Sequence, residues 1–342
     1  MRPLNVLLTA SGVPGAAALV RALRGSGGRQ VRIVGTDMSP LAVGRRLCDA
    51  FHLVPAGTDP GYADALLRVC EAERIDALVP QSSLELPALA AARERFDAAV
   101  LVASPEAVRR ANDKAETYAL LDSIGVRGPA WRRAQGRREV EAAARELGYP
   151  DVDVSVKPLE SSGSRGFRVL SASADALHEL LTRRPGDAPT LRLEDLLPIL
   201  PEDGGPVLLV MELLRGPERT VDGIARDGRV VLAHAKTRDA VRGGLAMSFE
   251  TLHEPALLEA AAEIVGELAL DHFFNVQFVG DGAIEVNPRI STVVYQEDLN
   301  VPALGLGLAL GELGEDEVAA QAARVRTTRR ALRYFDQVEW DE

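Results

Sequence analysis

The chain has 342 residues with 50 acidic against 39 basic side chains, a formal net charge of -11. That field repels nucleic acid and anionic membrane surfaces, so any bound phosphate has to be held by local cations. The apolar fraction is an ordinary 46%, no apolar run approaches the roughly 20 residues that span a bilayer, and the length suits two or three units of on the order of 100–150 residues.

The opening MRPLNVLLTASGVPGAAALV has an arginine ahead of apolar residues, as an export signal would. Asn5, Thr9 and Ser11 interrupt the apolar run, and the turn from Gly12 to Gly15 leads into helical spacing, so a strand followed by a helix is expected. Cys48 and Cys70 are the only cysteines. They are too few for a disulfide framework and lack zinc-ligand spacing, which predicts reduced thiols in a cytoplasmic enzyme.

From residue 4 to about 104, strands NVLLTA, VRIVGTD, ALVP and AAVLVA alternate with helices near Ala16 to Leu23, Tyr62 to Glu73 and Leu86 to Arg95. This is the pattern of a doubly wound parallel α/β unit. Ser104-Pro105 as a start and Gly125 as a stop bound a helix pair. A helix from Arg138 to Leu147, strand VDVSVKP, a small-residue loop, strand FRVLSA, a helix from Asp175 to Arg183 and strand VLLVMEL then predict a small α+β lobe. Residues 185–206, rich in Pro, Gly and acids, read as a flexible insertion with a short helix at most. Strands TVDGIAR and RVVLAHAKT, a helix from Pro255 to Leu268, strands NVQFVG and GAIEVNP around Asp281-Gly282, and a helical tail from about Val301 complete the chain. The expected units are residues 1–108, 109–214 and 215–342.

The loop ESSGSRG at 160–166 lies between two predicted strands, whereas a P-loop runs from strand into helix. Ser161, Ser162, Gly163, Ser164 and Gly166 could turn backbone amides and hydroxyls toward phosphate oxygens, with Arg165 adding charge. Taken alone, such a loop is an ordinary hairpin turn. Lys157 ends the apolar strand just before it, where an ammonium is costly without an anionic partner. Lysine is scarce, and Lys114, Lys157 and Lys236 all fall at or beside these segments. In GAIEVNPRIS, Glu285, Asn287 and Arg289 alternate along one predicted strand and so share a face, with Gln277 presented from the strand before it. Acid and amide oxygens in an apolar strand are costly unless paired, and this set suits a magnesium ion bridging phosphates.

Lys114, Lys157 with its glycine-serine loop, MELLRGPE, NVQF and EVNPRIS occur in the order of ATP-grasp enzymes, and over nearly the whole chain the sequence resembles that superfamily. The likeness points to the branch of carbamoyl phosphate synthase large-subunit halves and biotin carboxylase. It implies an N-terminal doubly wound α/β domain followed by a two-lobed ATP-grasp module, and an ATP-dependent carboxylate–amine ligase working through an acyl phosphate. By that resemblance Lys114, Lys157 and the 160–166 loop bind the phosphates of ATP. Met211, Glu212, Leu213 and Leu214 form the adenine hinge, the backbone of Glu212 and Leu214 meeting the base, and Glu218 holds the ribose. Gln277, Glu285 and Asn287 ligate magnesium, for which manganese can substitute. Arg289 stabilises the transferred phosphoryl group or the substrate carboxylate, assisted by Arg238 or Arg242. The first metal ligand is Gln277 where many members have glutamate. Tyr295 and Gln296 are expected to border the acceptor pocket or to pack a helix. Small-molecule carboxylate and amine are the implied partners, with neither nucleic acid nor membrane, and homodimers are common among such proteins.

Two other readings compete. SGVPG after the first strand and Asp37 at the end of the second suggest a nicotinamide-dependent oxidoreductase, although the middle glycine of the fingerprint is missing. A non-catalytic ATP-binding regulatory protein would keep the fold without the reaction, which the intact Lys157, Glu285, Asn287 and Arg289 argue against.

Overall fold

The computed structural model describes residues 2–25, 29–159, 166–183, 188–242, 245–291, 299–334 and 336–340. Its first sheet is built from strands β1 (Leu4–Leu8), β2 (Val31–Asp37), β3 (Ala50–Leu53), β4 (Ala77–Val79) and β5 (Ala99–Val100) in the order β3-β2-β1-β4-β5. Every pairing is parallel, the arrangement expected for strands that are buried on both faces and read as continuous apolar runs. Helices Ala16–Arg24 and Tyr62–Glu73 cover it with Leu19, Val20 and Leu23, and with Leu66 and Val69.

Helices Pro105–Asn112 and Lys114–Ile124 lead out of this sheet. The second is started by Asp113, whose carboxylate accepts from the amides of Ala115 (2.8 Å) and Glu116 (3.1 Å), and is stopped by Gly125 at φ 73°.

The second sheet comprises β6 (Trp131–Gln135), β7 (Val154–Pro158), β8 (Arg168–Leu170), β9 (Thr190–Leu191) and β10 (Val207–Glu212), ordered β6-β10-β7-β8-β9. A separate hydrophobic cluster, from Ala134 to Val210, packs it against helix Gly136–Glu146. Two expectations are corrected here. Strand β6 was not predicted, because WRRAQ buries only Ala134 and shows no apolar alternation. Described residues 188–206 are not a flexible insertion: β9 pairs with β8, helix Leu193–Leu196 buries Leu193 and Leu196, and the Arg137 guanidinium donates to Leu197 O at 2.9 Å.

The third sheet is β17-β16-β11-β12-β15-β18, from β11 (Glu218–Arg226), β12 (Arg229–Thr237), β15 (Ser248–Leu252), β16 (His272–Val279), β17 (Gly282–Asn287) and β18 (Arg330–Leu332). A small ribbon of β13 (Val241–Arg242) and β14 (Leu245–Ala246) stands beside it. All its pairings are antiparallel. The tail is helical over Val301–Ala309 and Glu315–Ala320, as expected, but it ends by adding β18 to the edge of this sheet. Leu7, Leu66 and Val108 share one core with Leu257, Val276 and Val286, so the first and third sheets are joined by continuous apolar packing.

Candidate functional site

Antiparallel register decides which side chains of the third sheet meet, because directly opposed residues share a face. Lys236, Thr220, Gln277 and Glu285 form one row across β12, β11, β16 and β17; His234, Asp222, Asn275 and Asn287 form the next. Eight polar or charged residues therefore occupy one face of four otherwise apolar strands. At the β17 end of the face lie the three oxygen-bearing residues expected to hold metal. A bulge inserts Ile284 between the pairs Gln277–Glu285 and Phe278–Ala283, which keeps Glu285 on this face.

Asn275 orients the amides around it. Its Oδ1 accepts from Gln277 Nε2 (3.3 Å) and Asn287 Nδ2 (3.2 Å), while its own Nδ2 donates to Asp222 Oδ1 (2.9 Å) and to the Thr220 hydroxyl. The NH2 ends of Gln277 and Asn287 are thereby turned inward and their carbonyl oxygens outward, that of Asn287 accepting from Ser83 Oγ and Arg289 Nη2 at 3.4 Å each. Arg289 lies beyond the strand rather than in it, since β17 ends at Asn287 and Pro288 has no N–H to continue a ladder. Its Nη2 donates to Asn287 Oδ1 (3.4 Å) and its Nε to Ser83 Oγ (3.0 Å), a residue of the loop after β4. The N-terminal unit thus contributes directly to the site.

Lys114 and Lys157 both feel the charge of Glu285 although up to 171 positions separate them in sequence. Lys114 is the first residue of its helix, where the positive end of the helix dipole disfavours a cation and favours an anion. Burial lowers the pKa of its ammonium, and Glu285 and Asp113 act against that. Lys157 Nζ donates to Tyr118 Oη at 2.7 Å and lies 5.1 Å from the Tyr118 ring centroid. Tyr118 in turn donates to Ile284 O at 3.0 Å, tying this lysine to the metal-site strand. Burial, with the neighbouring Lys114 charge, brings Lys157 down to about 7, Glu285 only partly compensating. Two lysines placed near one carboxylate suit a cradle for an anion.

Among the other expected residues, Ser161, Ser162, Gly163, Ser164 and Arg165 lie outside the described residues, as do Tyr295, Gln296 and the side chain of Arg242. Gly166 has φ 78°, and a Cβ there would come within 2.6 Å of Pro158, so the turn demands glycine. The Glu212 N–H donates to Ala130 O at 2.8 Å. The Glu212 carboxylate accepts from Ala130 N and Arg127. Met211 is buried, and Leu213 and Leu214 follow the strand at half-burial. Glu218 faces Arg238, whose Nε lies 3.3 Å from Glu218 Oε2.

The remaining site residues, Ser83, Tyr118, Thr220, Asp222, His234 and Asn275, escaped the sequence reading, and Lys236 was noticed only for its rarity. The signal was present in TVD, HAK and NVQ, each with polar residues two apart inside an apolar strand. Asp37, meanwhile, accepts from Gly12 N and Ser39 N, each at 2.8 Å. One carboxylate oxygen is engaged by the loop after β1 and the other by its own turn, which counts against a dinucleotide ribose there. Among the described residues no helix is long and apolar enough to cross a membrane.

Comparison with known proteins gives two family models. Residues 6–103 match the PylC-like N-terminal domain, and residues 205–331 match ATP-grasp in the biosynthetic pathway with Ter operon. The arginine-specific carbamoyl phosphate synthase large chain of Bacillus subtilis (strain 168) is 27% identical over 269 residues, covering 74% of this chain and 24% of that one. The chain thus spans about a quarter of the length of that relative. Among solved structures, L-amino acid ligase from Bacillus licheniformis superposes with TM-score 0.66 at 14% identity, covering 96% of this chain and 79% of the other. The biotin carboxylase domain dimer of Hydrogenobacter thermophilus 2-oxoglutarate carboxylase, in complex with MgADP, ADP and bicarbonate, does so with TM-score 0.65 at 15% identity, covering 91% and 70%.

Proposed function

We propose, from the premise that the chain belongs to the ATP-grasp superfamily, that it is an ATP-dependent carboxylate–amine ligase. The observation that carries this is that Tyr118 ties Lys157 to Ile284, next to Glu285, whose charge acts on both Lys157 and Lys114 and which pairs with Gln277 on the same face as Asn287. Residues from three separate parts of the chain build one place for a metal-bound polyanion.

The donor chemistry fits magnesium. Among the described residues no group of three or more His, Cys, Asp or Glu forms a metal site. One carboxylate with two amide oxygens is a hard, weakly charged set that leaves room for phosphate oxygens as further ligands. Glu285, Gln277 and Asn287 would hold the ion, which when bound supplies neutralisation of the phosphates. Lys114 and Lys157 would hold the phosphate tail. Arg289, fixed by Ser83 and Asn287, would orient the substrate carboxylate for attack on the terminal phosphorus. The resulting acyl phosphate is destroyed by water, so the site has to be closed until the amine displaces phosphate and forms the amide. That the second sheet has its own core supports a lobe able to close as a unit.

The test is ADP release over a panel of carboxylates and amines, with mass spectrometry of the product. Glu285→Ala should lower turnover by more than about 100-fold with an unchanged circular dichroism spectrum. Wild-type turnover in that variant would remove the metal assignment and the ligase reading with it.

A further inference from the structure

The two ends of the parallel sheet carry different surfaces. At its amino end lie ion pairs, Arg2 with Asp76, Arg24 with Asp49 and Arg32 with Glu73. The loops that leave the carboxyl ends of β1 to β4, residues 10–15, 38–43, 54–61 and 80–85, hold two acids and no base. Both acids are spent within the loops and their neighbours. Asp59 Oδ1 accepts from Gly61 N at 2.7 Å, and buried Glu85 accepts from Thr9, Tyr62, Gln81 and Ser82. What this end presents to solvent instead is apolar. Among the described residues the large exposed hydrophobic side chains of the N-terminal unit are Met38 (68%), Leu41 (87%), Leu53 (57%) and Leu84 (47%), and all four end or follow a strand of this sheet.

These loops touch one another. Gly12 N donates to Asp37 Oδ2 at 2.8 Å, Gln81 Nε2 donates to Thr9 O at 2.9 Å, and a Cβ on Gly57 would come within 2.8 Å of the Glu85 side chain. The strand order β3-β2-β1-β4-β5 reverses between β1 and β4, and open α/β sheets bind ligands in the crevice outside the carboxyl ends of the strands at such a reversal. The loop after β4 enters the candidate site itself: Arg289 Nε donates to Ser83 Oγ at 3.0 Å, and Leu84 is the next residue. Met38 and Leu41 follow β2, two strands from β4, which is roughly 10 Å at a strand spacing of about 4.8 Å. A molecule whose carboxylate is held at Arg289 has this surface within reach of its other end. A second charge there would lose hydration without gaining a partner, whereas hydrocarbon gains by leaving water.

We propose that the acid taken by this site is a monocarboxylate with an uncharged, apolar body of several carbons, its carboxylate at Arg289 and its body laid across Leu84, Met38 and Leu41. The inference rests on the ligase reading and names the class of acid that the ligase uses. Single exposed apolar side chains are normal on any protein, but a set confined to one end of one sheet and continuous with a residue of the site marks a binding surface.

The test gives the full chain ATP, magnesium and hydroxylamine with the straight-chain acids from acetate to octanoate, and with succinate. A carboxylate oxygen bonds to the terminal phosphorus as ADP leaves; the hydroxylamine nitrogen then bonds to the acyl carbon as phosphate leaves and a proton is released, so ADP and hydroxamate are read together. From acetate to hexanoate kcat/KM should rise at least about tenfold, and succinate should rank below butanoate. Met38→Asp and Leu84→Asp should each cut the preference for hexanoate over acetate by about threefold or more, with an unchanged melting temperature because both side chains are exposed. A flat series, succinate used as well as butanoate, an intact hexanoate preference in both variants, or nucleotide binding with no acid consumed would overturn the apolar-acid class and leave the ligase reading standing. Variants that dissociate an oligomer by light scattering while keeping the wild-type series would likewise overturn it, the surface then belonging to a second copy of the chain. Absent nucleotide binding would overturn the ligase reading, and calorimetric titration of octanoate into wild type and the double variant Met38→Asp/Leu84→Asp then decides the apolar surface alone.

Discussion

Two buried polar clusters, one beside the parallel sheet and one in the middle of the antiparallel sheet, are finished differently. Beside the parallel sheet, Glu85 accepts from Thr9 Oγ1 (2.7 Å), Tyr62 Oη (2.5 Å), Gln81 N and Ser82 N (2.9 Å each). Gln81 Nε2 completes it by donating to Thr9 O. On the antiparallel sheet, Asp222 and Lys236 form an equally buried ion pair at 3.1 Å, and Asn275 joins Asp222 to Gln277 and Asn287. The first network closes on itself and fixes one conformation of the loop that carries Ser83, whereas the second runs on into the residues expected to hold metal.

The comparison is broken most severely by Glu85→Ala, which strands two hydroxyls and two amides at about 1–3 kcal/mol each. A loss of at least about 4 kcal/mol in urea-melt stability is expected, with nucleotide affinity per folded molecule unchanged. A stable variant would mean that the closed network is not what holds this loop. Next in size is Asn275→Leu, which removes the group that turns Gln277 and Asn287. ADP release should fall by about 10–100-fold, and the magnesium concentration for half activity should rise, while the melting temperature moves less than for Glu85→Ala. An unchanged magnesium requirement would strip Asn275 of its orienting role.

Protonation sharpens the contrast further. Lys157 titrates at about 7, so above that pH it is neutral in the free protein. A bound polyanion raises its pKa, so nucleotide binding takes up a proton, and affinity falls by up to about tenfold per pH unit above 7. Calorimetry in two buffers of different ionisation enthalpy reads the uptake directly; zero uptake at pH 8 would show that Lys157 does not face the phosphates. The smallest effect concerns the thiols. Burial raises Cys48 to about 11 and Cys70 to about 12, so at pH 8 neither should react appreciably with iodoacetamide until the chain is unfolded. Fast native labelling of Cys70 would indicate that the first sheet opens.

Strands β1, β2, β4 and β5 of the parallel sheet were legible because they are near-continuous apolar runs separated by helices of clear period, such as Ala16–Arg24, whereas the edge strand β3, with no fully buried residue, was missed. Lys157, Glu285 and Asn287 were legible because charge or amide in an apolar strand is anomalous in one dimension. Strand β6, with one buried residue in five, carried no such signal, and the proline- and acid-rich stretch before β10 hid the buried Leu193 and Leu196. Asp222 and His234 were passed over because each looks like a solvated residue of a hairpin strand until its neighbours are known.

By itself, then, the order of residues determined the periods, caps and turns: Asp113 before a helix, Gly125 after it, Asp281-Gly282 between two strands. These depend on neighbours a few positions away, which is the range over which backbone hydrogen bonds and φ/ψ preferences act. Only the tertiary structure decided that Lys236 stands opposite Thr220 and Asp222 opposite Asn275, and that Ser83 reaches Arg289. Register across strands and packing between sheets are set by burial of the whole apolar surface, and no local window of the chain contains that information.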